Sequence, residues 1–163
     1  MTTHQRMTLR KFRPADLPAV QRVLVTTMDV SFAGVYPPSA IAHLRTHAQP
    51  EEILADAQAG YTAVLESDGR IIATGTLTDG KVKRVYVDPE HQGCGLGRRI
   101  MAHLERRARA EGLKSVFLYS TTVAKAFYES LGYTVGAAKF GTMEDGARLD
   151  YFEMTKDLTG AGK

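Results

Sequence analysis

The sequence predicts a mixed α/β fold (α+β mixed), with helices on both faces of a central mixed sheet. Helical and strand-like patterns of apolar residues follow the order β, two short helices, three strands, a helix, a strand, a helix and two strands. The tetrapeptide Ser67-Asp68-Gly69-Arg70 between two apolar runs predicts a hairpin, since Asp-Gly suits a positive φ. The strand, glycine-rich loop, helix and strand over residues 81–120 predict one right-handed parallel crossover.

Composition predicts one folded, cytoplasmic domain over residues 1–163, with frayed ends at 1–7 and 159–163. Hydrophobic residues make up 44% of the chain and charged residues 24%, which excludes a mainly disordered protein. The single cysteine, Cys94, excludes an intramolecular disulfide framework and a cysteine-based zinc site. We expect no membrane partner, because no apolar run approaches the roughly 20 residues of a membrane span. The net charge of +3 is too small to predict nucleic-acid binding.

In the first half of the chain, breaker and capping residues separate the predicted elements. Pro14 ends the first strand, and the carboxylate of Asp16 is a candidate N-cap for the helix that follows. Ser39 is a second candidate N-cap, after a loop that contains one glycine and two prolines. The predicted elements are a strand over Thr8–Arg13, a helix from Leu17 to about Met28, a loop over Phe32–Pro38, a short helix from Ser39, and a further turn or two over Glu51–Ala59.

In the second half, the apolar pattern changes to short β-branched runs separated by turns. Pro89 ends a strand, and Gly112 and Gly132 close two helices. The predicted elements are strands over Tyr61–Glu66, Ile71–Leu77 and Lys81–Asp88, a helix over Arg98–Glu111, a strand over Ser115–Ser120, a helix over Val123–Leu131, and closing strands over Tyr133–Phe140 and Leu149–Met154.

The segment from Gln92 to Arg98 is the most informative part of the sequence. Gly93, Gly95 and Gly97 alternate along it, so few side chains cover the backbone amides where a helix begins. Free amides and the helix dipole together favour an anion, which predicts a phosphate or pyrophosphate site. The glycine spacing fits neither the dinucleotide fingerprint nor the Walker A loop.

Two motifs in this chain resemble those of the GNAT acetyltransferase superfamily. Gln92-Gly93-Cys94-Gly95-Leu96-Gly97 is similar to the family signature Q/R-x-x-G-x-G/A. The segment Ala124-Lys125-Ala126-Phe127-Tyr128-Glu129-Ser130-Leu131-Gly132-Tyr133 is similar to A-x-x-F-Y-x-x-x-G-F/Y. The element order also agrees with the family's fold. The resemblance implies a mostly antiparallel sheet that is splayed between its fourth and fifth strands.

The resemblance further implies an N-acetyltransferase that moves an acetyl group from the cosubstrate acetyl-CoA to a primary amine by direct attack, without a metal. The amine would belong to a small molecule or to a protein. By resemblance, Tyr128 would protonate the departing sulfur, and the amide of Val87 would stabilise the developing oxyanion. The implied cofactor-binding residues are Val85, Tyr86, Val87, Gln92, Gly93, Cys94, Gly95, Leu96, Gly97, Arg98, Thr121 and Lys125.

The chain departs from the family pattern at two places. Thr121 stands where the family often has an asparagine, and Lys83 and Arg84 stand where some members have a glutamate base. Asp79, Glu66 or a chain of waters could take the proton of the amine, and the sequence does not choose among them.

The resemblance also assigns the acceptor site and leaves several alternatives open. It implies that residues 32–39 and 140–148 shape the choice of acceptor, and that a homodimer can form. Glu144, Asp145 and Asp150 could contact a cationic acceptor or simply be exposed. One alternative function is an acyl-CoA-binding sensor without catalysis. The other is a basic nucleic-acid-associated module, and the intact motifs argue against this second alternative. His43 and His47, at i, i+4 spacing, are expected to be solvated helix residues.

Overall fold

The computed structural model describes residues 6–160, which form seven strands and five α-helices. The order agrees with the prediction except at Pro50–Ala59, a full helix where only a further turn or two was predicted. Three short 3₁₀ turns precede α1, α3 and the glycine-rich loop. The elements are β1 (Met7–Lys11), α1 (Leu17–Ser31), α2 (Pro38–Arg45), α3 (Pro50–Ala59), β2 (Tyr61–Ser67), β3 (Arg70–Thr78), β4 (Lys81–Val87), α4 (Leu96–Ala110), β5 (Ser115–Thr121), α5 (Lys125–Ser130), β6 (Thr134–Thr142) and β7 (Arg148–Asp157).

All seven strands belong to one sheet, in the order β1-β2-β3-β4-β5-β7-β6. Every neighbouring pair is antiparallel except β4 and β5, which run parallel on either side of α4. In that parallel pair only Lys81 and Phe117 are in register, at the start of both strands. The strands then diverge, which confirms the predicted mostly antiparallel sheet and its splay between the fourth and fifth strands.

A β-bulge in β4 lies where that strand leaves β5. Thr74 of β3 faces Tyr86, and Thr76 faces Lys83, so two residues of β4 occupy the space opposite one residue of β3. Arg84, within the bulge, has a φ of 51°, which is strained for an arginine. Its guanidinium donates to Asp56 at 2.6 Å, which ties the bulge to α3. A bulge bends its strand, and this one accompanies the divergence of β4 from β5.

Helices cover both faces of the sheet, as predicted. Residues of β2 alternate between the faces: Leu65 packs with the α4 side and Val64 with the α1 side. The α4 core is built around Ile100 and Leu104, whereas Leu24 of α1 anchors the opposite core. The hairpin prediction is also confirmed, because Asp68 and Gly69 both have positive φ angles, of 51° and 83°.

The two predicted N-cap bonds are wrong. Asp16 precedes α1, but its carboxylate accepts from the Arg10 guanidinium at 2.8 Å and from the Arg13 amide at 2.7 Å. The carboxylate therefore binds the Arg10 guanidinium of β1 and not the free amides of α1, because a charge-assisted hydrogen bond is stronger than a neutral one. Ser39 lies inside α2, whose cap position is Pro37, and its hydroxyl donates instead to Asp145 at 2.9 Å.

Several boundaries differ from the prediction by two to three residues. α1 continues to Ser31, and α4 begins at Leu96. Residues 1–5 and 161–163 of the predicted frayed ends lie outside the described residues. Met7, in contrast, pairs with Ser67 at the sheet edge.

The helices are short compared with a bilayer. The longest, α1 and α4, have 15 residues each, or about 22 Å at 1.5 Å per residue. Within residues 6–160, none is long and apolar enough to cross a membrane.

Candidate active site

The gap between β4 and β5 borders two clefts. The first, of about 570 Å³, lies between the end of β4, the glycine-rich loop and the start of α5. The second, of about 600 Å³, lies between α2, α3, β4 and the β6–β7 hairpin. Both clefts are lined by Arg84, Tyr86, Tyr119, Ser120 and Thr121. The diverging strands thus form a common wall that two different molecules could reach from opposite sides.

The N-terminus of α4 opens into the first cleft with free backbone amides. The first helical bond runs from the Arg99 amide to the Gly95 carbonyl at 3.1 Å, so the three amides before Arg99 have no partner in the helix. No side chain caps them, and the helix begins at Gly95, which has a φ of 80°. Gly93 has a φ of 81°, a conformation that favours glycine. Together with Arg98, which lines the cleft, this geometry suits a pyrophosphate.

Gly97 allows α4 to approach α5 closely. A Cβ atom at this position would lie 3.1 Å from Cζ of Phe127 and 3.7 Å from Cγ2 of Val87. The three residues therefore bring the glycine-rich loop, α5 and the end of β4 together around the first cleft.

The amide of Val87 points into the gap. The Asp88 amide donates to the Ile72 carbonyl at 2.8 Å, which makes the preceding pair, Val87 and Ala73, a non-hydrogen-bonded one. Both backbone groups of Val87 consequently face away from β3. The Val87 carbonyl accepts from Nε2 of Gln92 at 3.0 Å and from Oγ1 of Thr27 at 3.2 Å. These bonds hold the peptide between Val87 and Asp88, which directly follows the Tyr86–Val87 peptide that carries the Val87 N–H.

Tyr128 lines the same cleft from α5 and is only 7% exposed. Its ring packs against Phe127 at 5.1 Å and against Tyr133 at 5.8 Å between centroids. Burial, and secondarily the nearby Tyr86, raises the pKa of Tyr128 well above its usual value. Burial likewise raises the pKa of Tyr86 to about 12. Both phenols therefore keep their protons at neutral pH.

These buried phenols predict a loss of stability in alkali. Burial and Glu105 raise the pKa of Tyr133 as well, so three tyrosines stay protonated in the folded state above pH 10 while the unfolded chain ionises. Their contribution is complete below pH 10 and is lost as the pH rises through the folded pKa values. We expect the free energy of unfolding to fall by on the order of 1 kcal/mol per pH unit for each tyrosine. Urea unfolding between pH 9 and 11 measures this.

The matched variant for that titration is Tyr133→Phe. Its free energy of unfolding should fall less steeply with pH than that of the wild type, by the contribution of one tyrosine. A flat profile in the wild type up to pH 11 would show that these phenols do not resist ionisation.

The loop between α1 and α2 is tied to the rim of both clefts. The Tyr36 hydroxyl lies 2.7 Å from Oγ1 of Thr122 and accepts from the Thr122 amide at 2.7 Å. In the first turn of α2, directly after this loop, the Ser39 hydroxyl donates to Asp145 of the β6–β7 hairpin. The two segments predicted to shape acceptor choice, 32–39 and 140–148, are therefore in contact with each other.

A family comparison agrees with this geometry. The family model described as "Acetyltransferase (GNAT) domain" matches residues 58–135, which include the glycine-rich loop and the whole motif from Ala124 to Tyr133. The match covers slightly less than half of the chain, and over these residues the chain is similar to the GNAT superfamily. An acetyltransferase of Streptococcus pyogenes, from the arcA 3′ region, is 31% identical over 91 residues, which cover 53% of this chain and 60% of that protein. The chain thus spans about three fifths of the length of this relative.

Solved structures share the GNAT fold along nearly the whole chain. A GCN5-related N-acetyltransferase from Rhodopseudomonas palustris superposes with a TM-score of 0.81 at 20% identity, over 95% of this chain and 99% of that one. YncA from Salmonella typhimurium, solved with acetyl-CoA, has a TM-score of 0.72 at 23% identity, over 96% of each chain. At these identities the likeness shows the fold alone.

Most residues implied by the GNAT resemblance line the first cleft, but two do not. Cys94 is exposed, and Lys125 pairs with Glu129 at 3.1 Å; neither lines the cleft. The residues that the structure brings together there are Val85, Tyr86, Val87, Gln92, Gly93, Gly95, Leu96, Gly97, Arg98, Thr121 and Tyr128. Their roles stay predictions.

Sequence reasoning missed part of the GNAT cleft lining. Thr27 and Ser31 line it from α1, one turn apart on the stripe that begins with Val20 and Leu24. Polar residues that interrupt an apolar stripe were the available signal. Phe127 stood within the quoted motif, and its contact with the glycine-rich loop was not predicted.

The structure separates the GNAT domain's candidate bases from the gap. Asp79 lies in the β3–β4 turn. Glu66 lies on β2, next to the edge strand β1, and accepts from Arg10. Neither residue lines either cleft. His43 and His47 line the second cleft with ring centroids 5.9 Å apart. Within residues 6–160, no group of three or more His, Cys, Asp or Glu residues is arranged to hold a metal.

Proposed function

We propose that this protein is an N-acetyltransferase that moves an acetyl group from acetyl-CoA to a primary amine. One observation supports the proposal: the residues at the uncapped start of α4, Val87 and Tyr128 all line the first cleft. They would supply an anion cradle, an oxyanion donor and a proton donor within one site. The S. pyogenes relative is named an acetyltransferase, and YncA was solved with acetyl-CoA, which supports this assignment.

The residues of the first cleft fit the chemistry of acetyl-CoA. The amides from Gly93 to Arg98 would bind the pyrophosphate through charge-assisted hydrogen bonds. Val85, Val87 and Thr121 line the passage between that cradle and Tyr128 and would hold the pantetheine arm. When bound, acetyl-CoA supplies a thioester whose carbonyl carbon accepts the amine.

In the transfer itself, the protein's residues bind, orient and move a proton. The amine would enter through the second cleft and attack the carbonyl carbon, so that a C–N bond forms and a C–S bond breaks. The Val87 amide would donate to the oxygen on which negative charge develops. Tyr128 would give its phenolic proton to the departing sulfur and regain one from solvent.

The amine would lose its own proton to water. The acids that line the second cleft, Glu52 and Asp56, are both engaged by cations, so neither is a free base. Cations beside Asp56 hold the pKa of its carboxyl below the usual value despite partial burial.

Thermal unfolding with acetyl-CoA tests the binding step. At 100 times its dissociation constant, a ligand adds about 2.7 kcal/mol of stability. For a chain of this size we expect the midpoint to rise by about 5–10 °C. Acetyl-pantetheine, which lacks the pyrophosphate, is the control and should give a smaller shift. No shift with acetyl-CoA would contradict the proposal.

Thiol release with a panel of primary amines tests the catalytic step. Turnover of any amine distinguishes the enzyme from an acyl-CoA-binding sensor, which would show the thermal shift alone.

A further inference from the structure

The second cleft carries an excess of positive charge that its own acids do not neutralise. Its lining contains three cations, Lys81, Lys83 and Arg84, and two acids, Glu52 and Asp56. Asp56 lies 3.3 Å from the Lys83 ammonium and 2.6 Å from the Arg84 guanidinium. Glu52 lies 3.4 Å from Arg84. Both acids of the cleft therefore form ion pairs with Lys83 or Arg84.

Lys81 is the cation without an acid. Within residues 6–160 its ammonium forms no ion pair, and it lies 4.3 Å above the centre of the Tyr119 ring. Burial, and then the neighbouring Lys83, lowers the pKa of Lys81; the carboxylate of Asp56, which is paired with Lys83 and Arg84, opposes this shift only in part. Tyr119 lines both clefts, so its ring lies between this ammonium and the gap.

The other acids near the acceptor segments do not compensate this charge. Asp145 accepts from Ser39 and from the Ala147 amide, and Asp150 pairs with Arg148 at 3.0 Å. Neither lines the second cleft, and Glu144, the third acid named above for a cationic acceptor, does not line it either. A polycationic acceptor would consequently meet Lys81 with no free carboxylate beside it.

We propose that the acceptor is a small amine that also carries an anionic group, a carboxylate or a phosphate, and that Lys81 binds this group. This inference rests on the proposed acetyltransferase function. The anion would give Lys81 the partner that the fold does not supply. Tyr119 and Tyr151, with ring centroids 5.7 Å apart, would pack against the body of the acceptor.

The shape of the cleft separates the two ends of such an acceptor. The amine end must reach the gap near Tyr86 and Thr121, which line both clefts. Lys81 precedes Tyr86 by five positions on β4, and the bulge at Arg84 bends the strand between them, so their backbones lie at most about 16 Å apart at 3.3 Å per residue. An amine and an anion at opposite ends of a chain therefore fit better than an α-amino acid.

The test compares hexylamine with 6-aminohexanoate and 6-aminohexylphosphonate, measured by thiol release from acetyl-CoA. In the wild type we expect kcat/KM for one or both anionic amines to exceed that for hexylamine at least tenfold. The two anionic arms distinguish a carboxylate from a phosphate group. In Lys81→Gln the ratio of kcat/KM for the anionic amines to that for hexylamine should fall to about one.

The matched control is Lys139→Gln. Lys139 pairs with Glu153 at 2.8 Å and does not line the second cleft, so the anionic preference should remain. The diamine cadaverine is measured in the same assay. Equal kcat/KM values for the first three amines, a higher kcat/KM for cadaverine than for the anionic amines, or an unchanged anionic preference in Lys81→Gln would each overturn the inference. Failure of the proposed function would look different, because no amine would be acetylated and acetyl-CoA would not shift the unfolding midpoint.

Discussion

Replacing Tyr128 by phenylalanine is expected to lower kcat about 100-fold and to leave the dissociation constant of acetyl-CoA unchanged. The phenol is the proton donor that the proposed reaction assigns to the departing sulfur, and general acids contribute roughly 100- to 10,000-fold. Burial raises its pKa, so the wild-type group keeps its proton at neutral pH. Phenylalanine retains the ring that packs against Phe127 and removes only the hydroxyl group, the source of the proton.

Steady-state thiol release and equilibrium binding of acetyl-CoA, measured on the same preparations, separate the two effects. Tyr133→Phe is the control, since it also removes a buried hydroxyl. That hydroxyl donates to Glu105 at 2.9 Å, away from the first cleft, so kcat should not change. A kcat for Tyr128→Phe within threefold of the wild type would remove Tyr128 from the mechanism and leave it as a packed aromatic residue.

Replacing Gly95 by glutamate is expected to weaken acetyl-CoA binding at least about 100-fold, or about 2.7 kcal/mol. The carboxylate would stand at the start of α4, where the free amides are proposed to bind the pyrophosphate, and would repel it. The positive φ of 80° adds strain to any side chain at this position, although no atom lies within 4 Å of a Cβ placed there.

Gly112→Glu reproduces the strain and the charge at the other end of the same helix. Gly112 also has a φ of 80° and open space around a Cβ, and it follows the last turn of α4. Titration calorimetry of both variants should show wild-type affinity for Gly112→Glu and a large loss for Gly95→Glu. Equal affinities in the two variants would place the pyrophosphate elsewhere.

Local patterns predicted much of the fold because they depend on residues close in sequence. The Asp68-Gly69 hairpin and the glycine-rich loop were predicted correctly, since positive φ angles and uncovered amides follow from single residue types. Capping was not predictable in the same way. Asp16 and Ser39 each bond a partner from another element, Arg10 and Asp145, which a reading of adjacent residues does not include.

The amino-acid sequence by itself determined the element order apart from the helix α3, the loop that opens α4 and, through two motifs, the resemblance to the GNAT superfamily. Only the tertiary structure decided that β4 and β5 keep a single pair in register, and that the gap between them borders two clefts. It also decided that Lys83 and Arg84 hold the acids of the second cleft while Lys81 holds none. Ion pairs and clefts arise between residues distant in the chain, so their partners are set by packing and not by spacing.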